Sequence, residues 1–171
     1  MRIKWFSLIR ITGLLLVLLY HFFQTIFPGG FFGVDVFFTF SGFLITSLLL
    51  EEFGKARQID LLGFFKRRFY RIVPPVVLMI LVTMPFTFLV RQDYVAGIGG
   101  QIAGVLGFMT NFYEMLTGGS YESQFIPHLF VHNWSLAVEV HYYILWGLAV
   151  WFLSKRAKSS GQLRGTIFLL S

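Results

Sequence analysis

RITGLLLVLLYHFFQTIF, residues 10–27, is a run long and apolar enough to cross a bilayer, with Arg10 at its start and His21 deep within it. On a helix the eleven steps from 10 to 21 bring Arg10 and His21 back to nearly one face, at ~100° per residue, and set them ~16 Å apart along the axis. An ionisable ring in hydrocarbon is costly, so such a residue faces the interior of a helix bundle and by default marks a functional site. The plainer reading is a His that packs against a neighbouring helix and bonds a carbonyl.

The rest of the chain has the same character. Of its 171 residues, 56% are hydrophobic, 19% aromatic and 13% charged, where a soluble domain carries roughly a quarter charged residues. With a mean hydropathy of +0.72, the expected fold class is all-α, a polytopic transmembrane helical bundle. The net charge of +6 would suit nucleic acid, but the Lys and Arg lie between apolar runs rather than along a polar face, which is the pattern of membrane topology. The bilayer is therefore the expected partner, and no nucleic acid. Cysteine is absent, which excludes disulfides, thiolate metal ligands and a Cys nucleophile. The four His are too scattered along the chain to make a metal site. Arg2 and Lys4 precede a long apolar core with no small-residue cleavage site after it, which reads as a retained signal anchor with a cytoplasmic N-terminus.

The first span is expected from about Trp5 to Phe27, reversed at once by Pro28, Gly29 and Gly30. The second, about Phe31 to Leu50, carries a single charge, Asp35. Counted from the middle of the turn, His21 and Asp35 each lie ~10 Å into their helices, at one depth. Glu51 to Arg71 is polar, and its excess of Lys and Arg assigns it to the cytoplasm. Within it Asp60 can cap a short amphipathic helix that lays Leu61, Phe64, Phe65 and Phe69 in the membrane interface. Pro74 and Pro75 then open a third span ending near Val90.

The glycine-rich stretch Val95 to Phe112 either crosses the membrane or is re-entrant. Crossing would put the basic tail with Lys155, Arg156, Lys158 and Arg164 outside and a loop free of Lys and Arg inside, against the charge rule. The re-entrant reading keeps Arg91 to Asn133 outside and lets the last complete span, Trp134 to Leu153, return to the cytoplasm. Glu139 then lies ~8 Å into that span, in one layer with His21 and Asp35. Two carboxylates near one imidazole make an orienter and a charge partner for a general base. The plainer reading of Glu139 is a structural carboxylate paired with a basic group. The chain stops in a further apolar opening, GTIFLLS, so the sequence predicts about four to five spans and the start of another, as part of a longer protein.

Arg10 followed after ten residues by His21, then PGGFFGVDVFFTFSGFLIT (28–46), then Arg68 and Arg71 as an RxxR before Pro74, then HNWSLAVE (132–139), resemble in that order the membrane acyltransferase 3 family. Within it the bacterial peptidoglycan O-acetyltransferases are most similar. The resemblance implies that residues 1–171 are the N-terminal part of an acyltransferase 3 membrane domain, lacking its later spans and the extracytoplasmic SGNH-type domain that often follows. It implies a multi-pass enzyme of the bacterial cytoplasmic membrane that moves an acyl group, usually acetyl, from cytoplasmic acyl-CoA to an envelope glycan such as peptidoglycan. No bound cofactor is implied; acetyl-CoA is a substrate.

Carried over residue by residue, His21 is the catalytic base or acyl relay, with Asp35 and Glu139 beside it. Arg10, Arg68 and Arg71 bind the donor's phosphates, and Ser41, Gly42, His132, Trp134 and Ser135 belong to the substrate pocket. The plainer readings are topology signals for Arg68 and Arg71, small-residue packing for Ser41 and Ser135, and turn geometry for Gly29 and Gly30. Val140 and His141 depart from the family's usual second Glu and Gln. A rival from another class is a transporter or proton-coupled channel fragment, since an intramembrane His with carboxylates also makes a proton path.

The charge pattern yields a direct test of topology. Cys introduced at Ser123 is expected to be labelled by a membrane-impermeant thiol reagent from outside the cell, and Cys at Ser159 to be protected. The reverse labelling would remove Glu139 from the layer of His21.

Overall fold

Hydrocarbon offers no partner to backbone N–H and C=O groups, so a chain this apolar must satisfy them within its own segments, as helices do. The computed structural model describes residues 4–87, 89, 97–117, 128–157 and 159–170, and these contain helices and no strand. In order they are α1 (Lys4–Phe22), a 3-10 turn (Pro28–Phe32), α2 (Gly33–Ala56), α3 (Leu61–Thr87), α4 (Ile98–Leu106), α5 (Thr110–Thr117), a second 3-10 turn (Val131–Asn133), α6 (Trp134–Arg156) and α7 (Ser160–Leu170). Among the described residues, three helical segments are long and apolar enough to span a membrane: Pro28–Ala56, Leu61–Thr87 and Val131–Arg156; Leu8–Phe22 of α1 is a shorter apolar helix. Outward residues such as Leu62, Leu81 and Leu145 remain exposed, as suits helices bathed in lipid. The chain forms two compact units, Met1–Arg57 with Ser160–Ser171, and Gln58–Ser159.

In the first unit α1 packs on the 3-10 turn and on α2, and glycine makes the approach possible. A Cβ on Gly30 would run into the backbone carbonyl of Leu16 and the Tyr20 side chain, and one on Gly33 would meet the Gly13 carbonyl and Val17. Gly29 has open space around it. Of the turn's two glycines, Gly30 therefore serves close backbone packing. This tight return ends α1 at Phe22, five residues short of the expected Phe27. His21 is consequently in the last turn of α1, not deep within it, and Asp35 is in the first turn of α2. Each lies only ~1.5–3 Å from its own helix end, so neither is as deep within its helix as expected. α2 runs on to Ala56, where Arg57 closes it in a left-handed conformation (φ 57°), and meets α7. Ile45, Leu49 and Phe53 on α2, and Leu163 and Ile167 on α7, are buried at helical spacing.

In the second unit Asp60 caps α3 as expected, its Oδ1 accepting the Gly63 N–H at 2.9 Å. The helix does not restart at Pro74 and Pro75 but runs through them to Thr87. Proline's fixed φ suits a helix, and its cost is a missing donor, here to the carbonyls of Tyr70 and Arg71. Phe64, expected in the interface, is instead buried against α6: a Cβ on Gly147 would come within 3.1 Å of its ring. Val95 to Phe112 is not one span. α4 ends at Leu106, Phe108 turns in the left-handed region (φ 53°), and α5 begins at Thr110. A nine-residue helix such as α4 is ~14 Å long, short of the ~30 Å hydrocarbon core. Ser123, the outer labelling position, lies outside the described residues. The unit's core is Val76 and Ile80 of α3, Val105 of α4 and Phe130 before α6.

The glycine contacts predict an asymmetry. Gly30→Ala and Gly33→Ala should each lower stability by about 1–3 kcal/mol through overpacking, while Gly29→Ala should stay within about 0.5 kcal/mol, measured by unfolding in detergent micelles.

Candidate active site

Three of the sequence-selected residues meet in the second unit. Arg68 and Arg71 of α3 and Glu139 of α6 line one cavity of about 250 Å³, completed by Pro75, Leu136 and Tyr143 among others. The helices set this up locally: Arg68, Arg71, Ile72 and Pro75 follow one another on a single face of α3 at helical spacing, and Glu139 and Tyr143 are one turn apart on α6. The Tyr143 hydroxyl donates a short hydrogen bond to Glu139 Oε1, which gives the carboxylate a definite orientation.

Arg68 is gripped by aromatic rings rather than by solvent. Its guanidinium lies 5.6 Å from the Phe64 ring centroid and 5.6 Å from that of Tyr143, a stacking that arginine's planar cation favours and lysine's does not. Its Nε is buried with no hydrogen-bond partner among the described residues. A buried donor left unpaired is costly, and an anion entering the cavity would supply the missing acceptor. Arg71 is more exposed, at the two carbonyls that Pro74 and Pro75 leave without a donor. The cavity thus offers two fixed positive charges, a carboxylate and a phenol.

Trp134, Ser135 and His132 are at the entry to α6. Ser135 donates to the His132 carbonyl at 3.2 Å and so helps turn the 3-10 segment into the helix. His132 itself is exposed. Asn133 donates to the Phe130 carbonyl at 3.3 Å.

Arg10, His21, Asp35, Ser41 and Gly42 belong to the first unit. The Arg10 guanidinium stands 5.0 Å from the centroid of the buried Phe40 ring. His21 is exposed, and its Nδ1 bonds the Val17 carbonyl at 2.8 Å. A carbonyl only accepts, so Nδ1 carries the proton and Nε2 of the neutral ring holds the lone pair. A backbone carbonyl, not Asp35, therefore orients this nitrogen. Asp35 is exposed in the first turn of α2, where a carboxylate complements the unpaired helix N–H groups. Ser41 and Gly42 are half-buried midway along α2, and the Gly42 carbonyl accepts from Thr46 Oγ1 at 2.8 Å.

Two features escaped the sequence. Tyr143 was readable in principle, one turn beyond Glu139 on a helix. The pair of His128 and Glu114, 2.7 Å apart with both side chains largely buried, carried no signal, because it joins α5 to the segment before α6 across an intervening stretch.

A helical membrane protein with a cavity of arginines and a carboxylate between its helices defines a class, and comparison with known proteins narrows it. The acyltransferase-domain family model, acyltransferase 3, matches residues 3–169. O-acetyltransferase OatA of Staphylococcus aureus strain NCTC 8325 / PS 47 is 34% identical over 163 residues, covering 95% of this chain and 27% of that protein. OatA of strain COL gives the same figures. The chain belongs to the acyltransferase 3 family. It spans about a quarter of the length of the curated relatives it matches (27%). No solved structure matches it.

Proposed function

We propose that the full-length protein is an acyl-CoA-dependent O-acyltransferase of the bacterial cytoplasmic membrane, with its N-terminus cytoplasmic, that transfers acetyl groups to hydroxyls of an envelope glycan such as peptidoglycan. The observation that carries this reading is the meeting of Arg68, Arg71 and Glu139 in one cavity, on a chain whose relatives are named O-acetyltransferases. The guanidinium forks of Arg68 and Arg71, with Arg10, suit the phosphates of the donor, and the unpartnered Nε of Arg68 gives one of them an unused donor. His21 is the reacting imidazole. Its lone-pair nitrogen either takes the proton of the acceptor hydroxyl, whose oxygen attacks the acyl carbon as the C–S bond breaks, or first takes the acyl group itself. Asp35 and Glu139 are the charge partners of that step, and Ser41, Gly42, His132, Trp134 and Ser135 surround the substrates.

Two measurements on the full-length enzyme test this. Arg68→Ala and Arg71→Ala should raise the apparent KM for acetyl-CoA, and Lys at either position should restore it only in part because the planar fork is lost; unchanged donor kinetics in properly inserted variants would return both residues to topology signals. His21→Gln should leave insertion and donor binding near normal while lowering acyl transfer at least ~100-fold. Most of the activity surviving in an inserted His21→Gln protein would end this role for His21.

A further inference from the structure

His128 and Glu114 form a second imidazole–carboxylate pair that the site above leaves unused. His128 Nδ1 lies 2.7 Å from Glu114 Oε2, with the carboxylate more deeply covered than the imidazole, 8% against 17% of side-chain surface exposed. A buried carboxylate bonded to Nδ1 sets the neutral ring in the tautomer with its lone pair on Nε2, and it stabilises the imidazolium when that nitrogen takes a proton. The pair is held on both sides. Gln101, 2% exposed, accepts the Phe130 N–H at 3.3 Å and ties the His128 segment to α4, and the Tyr113 ring lies 5.6 Å from the imidazole.

Around this pair, oxygens wait for a donor. Among the described residues, Thr110 Oγ1 and Glu114 Oε1, on residues 1% and 7% exposed, and Asn111 Oδ1 are buried without a hydrogen-bond partner. Buried oxygens left unpaired are rare, and each calls for a bound group. Glu114 Oε1 and Asn111 Oδ1 only accept, so what they lack is hydrogen-bond donation, which hydroxyls provide and acyl-CoA phosphates do not; the Thr110 hydroxyl can both give and accept. The stretches 97–117 and 128–133 contain no Lys or Arg, and by the charge rule that marks the outer face, where an envelope glycan is found.

We propose that His128, oriented by Glu114, is the general base for the acceptor half of the reaction, taking the proton of a carbohydrate hydroxyl on the outer face; this rests on the acyltransferase reading and on its second route, in which His21 carries the acyl group rather than taking that proton. In that step the hydroxyl O–H bond breaks and its proton passes to His128 Nε2. The oxygen forms a bond to the acyl carbon, and the carrier leaves with the electron pair of the bond it held. Glu114 acts through His128 and is a positioning residue, while Thr110 and Asn111 accept from neighbouring hydroxyls of the same sugar.

The test uses full-length protein in proteoliposomes, labelled acetyl-CoA, and chitopentaose as the acceptor probe. His128→Gln should lower transfer of label at saturating donor at least ~100-fold with the KM for acetyl-CoA unaltered. His128→Gly should lose transfer equally and regain part of it on addition of free imidazole, a recovery that a packing role would not produce. Glu114→Gln, which keeps the volume and an oxygen acceptor but not the charge, should reduce transfer by at least ~10-fold and serves if the His128 variants fail to insert. Transfer maintained in an inserted His128→Gln or Glu114→Gln protein would overturn the proposal, as would a loss in His128→Gly that imidazole leaves untouched. Wild-type protein that neither releases CoA nor labels chitopentaose would instead remove the acyltransferase reading and this proposal with it.

Discussion

A guanidinium cannot be carried among apolar helices without something to hold it, and the second unit is built around how Arg68 is held. Its charge is stacked on Phe64 and Tyr143, and Tyr143 in turn gives its hydroxyl to Glu139. Phe64 can stand under the guanidinium because Gly147 of α6 leaves room for its ring. The arginine, the carboxylate and the phenol are therefore one arrangement across α3 and α6. Cation–π contacts hold a cation without consuming its N–H groups, and Arg68 Nε is left without a hydrogen-bond partner among the described residues.

The first unit relies on the opposite chemistry, the absence of side chains. Gly13, Gly30 and Gly33 let the backbone of α1 touch the following turn and the start of α2, as small residues do wherever membrane helices approach closely. This contact accompanies the end of α1, with His21 in its last turn and Asp35 in the first turn of α2. The His21 imidazole bonds the Val17 carbonyl of its own helix through Nδ1.

Where the apolar runs had clear ends, the helices were legible: Trp134 begins α6 and Asp60 caps α3 where their residue types predict. Local rules failed where tertiary structure or the membrane overrides them. Pro74 and Pro75 look like a boundary, yet a helix keeps its course through them because proline's φ is helical and only donors are lost. The end of α1 could not be read because the hydrophobicity of Phe22, Phe23 and Phe27 continues past it while the Gly30 contact forces the turn. In the site, the spacing of Arg68 and Arg71 was visible, as was the isolation of Glu139 in an apolar run. Their meeting was not, since about seventy residues of sequence separate them and no periodicity links the two helices. Glu114 and His128 are only 14 residues apart, yet they too lie on different elements that no periodicity links.

An acyltransferase and a proton-conducting channel would place the same ionisable groups in the membrane but differ in what crosses it. The most direct measurement loads glycan inside proteoliposomes containing the full-length protein and supplies labelled acetyl-CoA only at the cytoplasmic face. Label recovered as glycan O-acetyl ester, dependent on the protein, is the predicted result. Collapse of an imposed pH gradient with no ester formed would contradict the account.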